Sequence, residues 1–531
     1  MGAVVRTVSG ELRGIVADGV ASFLGVPYAA APFGVHRLAP PQPPPGWAGI
    51  RDAVTLGAEP PQVAPPTPTG PPSGSGENWE DVGAAFEAVR RAAPSEDCLN
   101  LNLWAPDPTA SGLPVMVWIQ GGMFELSSTA AYDGSRFARD GVVCVVINWR
   151  PGAEGFLYLG DGIANLGLLD QVAALEWVRD NITAFGGDPH NVTVFGESAG
   201  AMSIGTLLAM PRAHGLFRRA ILQSGAAHHV TPADDALRIG HCLAEKLGVA
   251  PTRAAIADAG IPRLLAAQAA LKADLLADPD PDRWGWEVVT STMPWQPVVD
   301  GDTVPGLPID RIAAGSSRDV DVLVGTNTDD WRLWLVVSGA IAGITDDMLT
   351  GPVTSYGYQS LAAYGLSPQT ALAAYRARHP GAAPGDVLTV VQTDWWMRIP
   401  AIALADAHAA ATAGSTTAAA GNATTATTGQ TYMYEFAWPA PGLGAVHAVE
   451  VPFVFDTLSP DAPLFGPLLG DHPPQALADT MHAAWVSFAS TGDPGWTAYD
   501  LGKRATMRFD TTSEVVDDPR SWERELWRGI R

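Results

Sequence analysis

Residues 192–200, Val-Thr-Val-Phe-Gly-Glu-Ser-Ala-Gly, constrain the fold more than any other stretch of the chain. A β-branched run enters Gly196-Glu197-Ser198-Ala199-Gly200, and a segment rich in Ala, Met and Leu leaves it. The pattern reads strand, sharp turn, helix. A turn this tight brings neighbouring backbone close, where a Cβ would clash, and the two glycines answer that need. Ser198 is thereby held clear of the strand at the positive end of a helix. As a bare string G-x-S-x-G is common. The strand before it and the helix after it make Ser198 a candidate nucleophile.

Reading outward, residues 3–8, 12–16 and 21–26 are expected as short strands, followed by strands at 99–104, 114–119, 142–148, 320–324 and 431–436. Residues 168–182 carry apolar side chains at helical spacing and feed the strand before Ser198. Alternating strands and helices predict an α/β fold with a large, mostly parallel central sheet flanked by helices. We expect one domain over 1–531, with helical cap or lid insertions at 230–290 and 338–412. Residues 40–78 are saturated with Pro and Gly and read as a surface loop. Residues 409–429 form a low-complexity segment, expected as a disordered loop.

The formal charge of −24 argues against nucleic acid and anionic membrane as partners. No window reaches the length and apolarity of a membrane span, and no secretion signal opens the chain, so a cytoplasmic location is expected. Cys98, Cys144 and Cys242 are far apart, odd in number and without metal-ligand spacing, and are expected as reduced structural thiols.

A serine hydroxyl needs a base to take its proton, and the base needs an acid to fix its tautomer. In this kind of strand–turn–helix setting the partners follow in the order Ser, acid, His. Asp329 and Asp330, after a buried strand and the turn Gly325-Thr326-Asn327, are candidate acids. His447 is the candidate base, on a loop between glycines and Val451-Pro-Phe-Val-Phe455. A strand ending in Gln120-Gly121-Gly122-Met123 suits an oxyanion hole, to which the amide of Ala199 would add a donor. Trp79, Trp118, Trp331, Trp334, Trp395 and Trp396 are candidates for an aromatic lining.

The chain closely resembles the type B carboxylesterases over nearly its whole length. The resemblance is carried by Phe23-Leu-Gly-Val-Pro-Tyr-Ala29, Ser95-Glu-Asp-Cys-Leu-Asn-Leu-Asn102, Asn165-Leu-Gly-Leu-Leu-Asp-Gln171, the run at 185–193, Gly196–Gly200, Gln223-Ser-Gly225 and Pro297-Val-Val-Asp-Gly301. It implies an α/β-hydrolase fold and a serine carboxylic-ester hydrolase working through an acyl-enzyme. Ser198 then resembles the nucleophile, His447 the general base and Asp330 the acid. Gly122, Met123 and Ala199 match oxyanion donors. Glu197 and Ser224 match positions near the histidine, and Trp79, Trp331, Trp334 and Trp396 are expected to line the substrate pocket. No metal or organic cofactor is implied. The expected partner is a small-molecule ester, and the expected assembly is a monomer or weak homodimer.

Five positions depart from the family pattern, the first being Gln120 where the family has His. Asp330 stands for the usual Glu, Met123 for Gly or Ala, Trp331 for a glycine beside the acid, and Ala448 for the glycine after the base. The last three add bulk, which implies a narrowed pocket. An amidase, carbamate hydrolase or lactonase would use the same triad. A non-catalytic interaction protein is the other alternative, against which the intact triad argues.

Overall fold

The computed structural model of the chain describes residues 2–63, 94–106, 109–353, 359–415, 428–459, 462 and 465–531. Its centre is an 11-stranded sheet. In chain order the strands are β1 Ile15–Ala17, β2 Val20–Pro27, β3 Asn100–Ala105, β4 Leu113–Ile119, β5 Val143–Ile147, β6 Gly187–Glu197, β7 Arg219–Gln223, β8 Asp321–Asn327, β9 Thr431–Phe436, β10 Ala505–Phe509 and β11 Glu514–Asp517. Across the sheet they lie in the order β11-β10-β9-β8-β7-β6-β4-β5-β3-β2-β1. The run from β5 to β10 is parallel, and antiparallel strands close both edges.

Both faces of this sheet are covered, which is why its strands read as unbroken apolar runs. Along β4, Val115, Val117 and Ile119 enter one core, while Met116 and Trp118 enter the other. The period of two is the pleat itself. Trp118 packs against Phe195 and Phe455 in the second core, with ring centroids 4.8 and 5.1 Å away. It is therefore a core residue and no part of an aromatic lining.

Register sets where the chemistry emerges. Glu197 pairs with Gln223, and Gln223 with Gly325, so β6, β7 and β8 finish nearly level. Ser198, Ser224 and the loop at 328–331 leave the same carboxyl edge side by side, the usual ligand edge of an open parallel sheet.

Three local expectations change. The strand expected over 12–16 is two strands, Glu11–Arg13 and β1, broken at Gly14, where a Cβ would meet the carbonyl of Ser22 and the ring of Phe23. Within the Pro-rich 40–78 stretch, Ile50–Asp52 forms a strand parallel to Glu11–Arg13; residues 64–78 lie outside the described residues. The helix Ile399–Ser415 runs into the expected 409–429 loop, whose residues 416–427 also lie outside.

The described residues of 230–290 and 338–412 are mainly helical, including Ala233–Leu247, Ile261–Ala277, Pro368–Arg378 and Pro384–Thr393. The three cysteines are unpaired. No helix among the described residues is long and apolar enough to cross a membrane.

Candidate active site

Ser198 sits between β6 and the helix Ala199–Leu207 with φ 56° and ψ −127°. This is a sparsely populated conformation for a residue with a Cβ, of the kind stored at functional sites at a cost of about 1–3 kcal/mol. The surroundings over-determine it. A Cβ on Gly196 or Gly200 would run into the carbonyl of Ile119, so only glycine lets the turn press against β4. The amide of Ser198 donates to the Gln223 carbonyl at 2.9 Å.

His447 and Asp330 meet at the same edge. The Nδ1 of His447 lies 2.8 Å from Oδ1 of Asp330. The other oxygen of Asp330 accepts from the Ser224 hydroxyl at 3.0 Å and the Asn327 amide at 2.9 Å. Three hydrogen bonds thus fix a fully buried carboxylate in one orientation. Asp329 does something else: its Oδ2 accepts from the amide of Ala445 at 3.0 Å, and its own amide donates to the Ala445 carbonyl at 3.0 Å. One residue on, the His447 amide donates to the Asp330 carbonyl at 3.2 Å. The acid loop and the histidine loop are zipped together by backbone. That is how the shorter Asp reaches the imidazole where a Glu would be usual.

The Nε2 of His447 lies 2.8 Å from Oε1 of Glu197, as an ion pair rather than an aligned hydrogen bond. No hydrogen bond joins His447 to Ser198 among the described residues. Burial pulls the histidine's pKa down, but the charges of Glu197 and Asp330 outweigh it and push it up to about 10.

A second buried carboxyl completes the electrostatics. Glu450 accepts from Gln223 at 3.1 Å and from the Asn327 side chain at 2.6 Å. Burial, with Glu197 nearby, raises its pKa to about 8. Sequence reasoning missed Glu450, Gln223 and Asn327 as part of the site. The available signal was spacing: Glu450 follows His447 by one helical turn, and an acid in a run as apolar as 449–455 needs a partner.

The Gln120–Met123 loop passes beside the serine. The amides of Glu125 and Leu126 both donate to the Gly122 carbonyl at 2.9 Å, closing a tight turn. The amides of Gly122 and Met123 donate to no other group among the described residues. Met123 takes φ 54° and Phe124 φ 58°, so the left-handed backbone that glycine would adopt freely is imposed on larger residues. Ala448 is held likewise at φ 64°. Gln120 donates from Nε2 to the Ser127 hydroxyl at 2.7 Å, and Lys272 grips Glu125 at 3.0 Å.

Of the tryptophans, Trp331, Trp334 and Trp396 come together. Trp334 lies against His447 at 4.6 Å between ring centroids, Trp331 against Trp334 at 4.4 Å, and Trp396 against Trp331 at 4.3 Å. Trp79 lies outside the described residues.

Comparison with known proteins finds relatives over nearly the whole length of the chain. A sequence model described as the carboxylesterase family matches residues 2–524. The chain is 34% identical to the para-nitrobenzyl esterase of Bacillus subtilis (strain 168), covering 98% of each chain. It is also 34% identical to the fumonisin B1 esterase of Sphingopyxis macrogoltabida, over 97% of this chain and 86% of that one. Among solved structures, the Geobacillus stearothermophilus carboxylesterase Est55 superposes with a TM-score of 0.77 at 34% identity over 99% of both chains. A thermophilic para-nitrobenzyl esterase superposes at 0.79 and 32% identity, over 99% of this chain and 100% of that one.

Proposed function

The chain belongs to the carboxylesterase family and is a serine ester hydrolase acting on small-molecule esters, and from that premise we propose that Ser198, His447 and Asp330 are its catalytic triad. The observation that carries the assignment is the 2.8 Å contact between His447 and Asp330 at the edge where the strained Ser198 turn emerges.

The reaction follows from the geometry. His447 swings about its Asp330 contact, exchanging Glu197 for the Ser198 hydroxyl, and takes the serine proton as the oxygen attacks the ester carbonyl. Asp330 holds the proton on Nδ1 and offsets the charge of the imidazolium. The free amides of Gly122 and Met123, with that of Ala199 at the head of its helix, receive the oxyanion. The imidazolium then protonates the departing alcohol, leaving an acyl-enzyme. Water, deprotonated by the same histidine, releases the acid and restores Ser198.

Glu197 holds Nε2 between turnovers, and Ser224 orients the acid. Trp331, Trp334 and Trp396 border the substrate, and the bulk of Met123 limits the acyl or alcohol group that fits. The helical insertions at 230–290 and 338–412 cap this edge of the sheet. Unpaired cysteines suit a cytoplasmic setting, and a monomer or weak homodimer is the assembly we expect.

Treatment with a fluorophosphonate, followed by peptide mass spectrometry, tests the reading. An adduct on Ser198, absent from Ser198→Ala together with loss of short-chain para-nitrophenyl ester hydrolysis, is the expected result. Unchanged turnover in Ser198→Ala would overturn it.

A further inference from the structure

The tryptophan stack does not end at Trp396. His229, buried, also stacks on that ring at 4.9 Å, with the two planes 18° apart. The guanidinium of Arg531 lies 3.2 Å from Nε2 of His229 and 3.1 Å from Glu287, and rests over Trp395 at 3.9 Å. Aromatic rings therefore run in unbroken contact from a charged clamp to the imidazole of His447.

The backbone beneath the stack is unusual. Trp395 and Trp396 belong to a single π-helical turn, Asp394–Arg398, set between the helices Pro384–Thr393 and Ile399–Ser415. Such turns are rare inside α-helices and recur at functional sites. Two further links tie this region to the acid loop. Arg398, paired with Asp394, donates to the Thr328 carbonyl at 2.7 Å, and the Trp331 amide donates to the Thr393 hydroxyl at 3.0 Å. Trp331 and Trp334 stand three residues apart at the start of the helix Arg332–Val337, so their side chains share a face.

We propose that Trp334 is a positioning residue for His447, and that Trp331 and Trp396, carried by the π-helical turn, brace it from behind. Asp330 holds the Nδ1 of His447 in place throughout, while its Nε2, paired with Glu197 at rest, must move to Ser198. A flat indole beside the imidazole limits that movement to an arc and suppresses tilting out of it. The two ring planes meet at 44°, a tilted contact within cation–π distance that favours the imidazolium formed in the transition state. This inference rests on the triad assignment above. It gives Trp331, which stands where the family has a glycine, a purpose beyond narrowing the pocket.

Trp334→Phe and Trp334→Leu are similar in apolar bulk, and only the first keeps a ring, so their comparison isolates the face. Because Trp334 also borders the substrate, the comparison is made at saturating ester: kcat for a small acetate ester should be about ten-fold lower in Trp334→Leu than in Trp334→Phe. The pH at which activity reaches half its plateau should drop in the Leu variant by about half a unit. Asp330, Glu197 and Glu450 are the titratable groups acting on the imidazole, and Tyr434 and Tyr132, which act on those carboxyls, are kept protonated by burial. All five are unchanged in both variants. Should Trp334→Leu not fold, Trp331→Leu and Trp331→Phe make the same comparison one ring further out, with the same ranking expected. Equal kcat and equal pH profiles for the Leu and Phe forms, in an enzyme whose Ser198→Ala form is inactive, would overturn the brace and leave the hydrolase intact. An active Ser198→Ala form would instead remove the triad assignment on which the brace depends.

Discussion

Glu197 lies 2.8 Å from the Nε2 of His447, occupying the nitrogen that a proton-accepting base must present to Ser198. An imidazole between two carboxylates favours its charged form, and the charged form cannot accept a proton.

From this follows a pH dependence. Burial is outweighed by Glu197 and Asp330, which raise the pKa of His447 to about 10, so kcat/KM for a neutral ester should climb through the alkaline range. Glu197→Gln removes one charge and should move that limb downward by at least about one unit. Kinetics from pH 6 to 10 check this, and coincident limbs would contradict it. The raised value also stabilises the fold: that contribution is complete below the unfolded pKa of about 6.5 and is lost as pH rises through about 10.

Asp330 and Asp329 are neighbours with separate duties, and mutation should divide them. Asp330→Asn removes the charge that offsets the imidazolium and lets an amide N–H face Nδ1, favouring the wrong tautomer, and should lower kcat by about three to four orders of magnitude. Asp329→Asn weakens the Ala445 contact that seats the histidine loop and should cost far less. The opposite ranking in steady-state assays would transfer the role of acid to Asp329.

Glu450 is fully buried, and its pKa rises to about 8 through burial and nearby Glu197. Its ionised form therefore costs stability as pH climbs past the unfolded value of about 4.3 and toward 8. Glu450→Gln should raise the thermal midpoint at pH 9 relative to the parent, and by less at pH 5. A midpoint difference independent of pH would show that the carboxyl does not titrate in this range.

Met123 and Ala448 hold left-handed backbone at φ 54° and 64°. Glycine at either position relieves roughly 1 kcal/mol of strain, offset in part by the entropy of a freer unfolded chain. Ala448→Gly should leave stability unchanged or slightly higher in a calorimetric scan. Met123→Gly should broaden the tolerated acyl and alcohol groups across an ester panel, and an identical profile would show that Met123 does not shape the pocket.

What could be read from the chain alone was what lies close together along it. The turn at Ser198 is encoded within nine residues, and its glycines report a contact with β4 that the motif already implies. The strands of the sheet were legible because both faces are buried, which leaves runs such as 142–148 without a polar interruption. The break at Gly14 and the short strand Ile50–Asp52 escaped because three-residue strands carry too little pattern, and their pairing is decided by tertiary contact. Glu450, Arg398 and the alignment of Trp334 on His447 were hidden for a related reason. Each depends on partners from distant segments, and nothing local distinguishes a buried acid with two amide donors from a solvated one.

The hydrogen bonds joining Asp329 and Asp330 to Ala445 and His447 have a consequence for protein engineering. The two loops are more than a hundred residues apart in the chain, with helices and β9 between them, yet they are seated as one piece. A chimaera with a relative that carries the longer acid could exchange everything between residues 338 and 412 and keep this seating. A crossover that separates 327–331 from 444–448 would couple a short acid to a loop set for a long one. Recombination libraries should therefore inherit these two loops together.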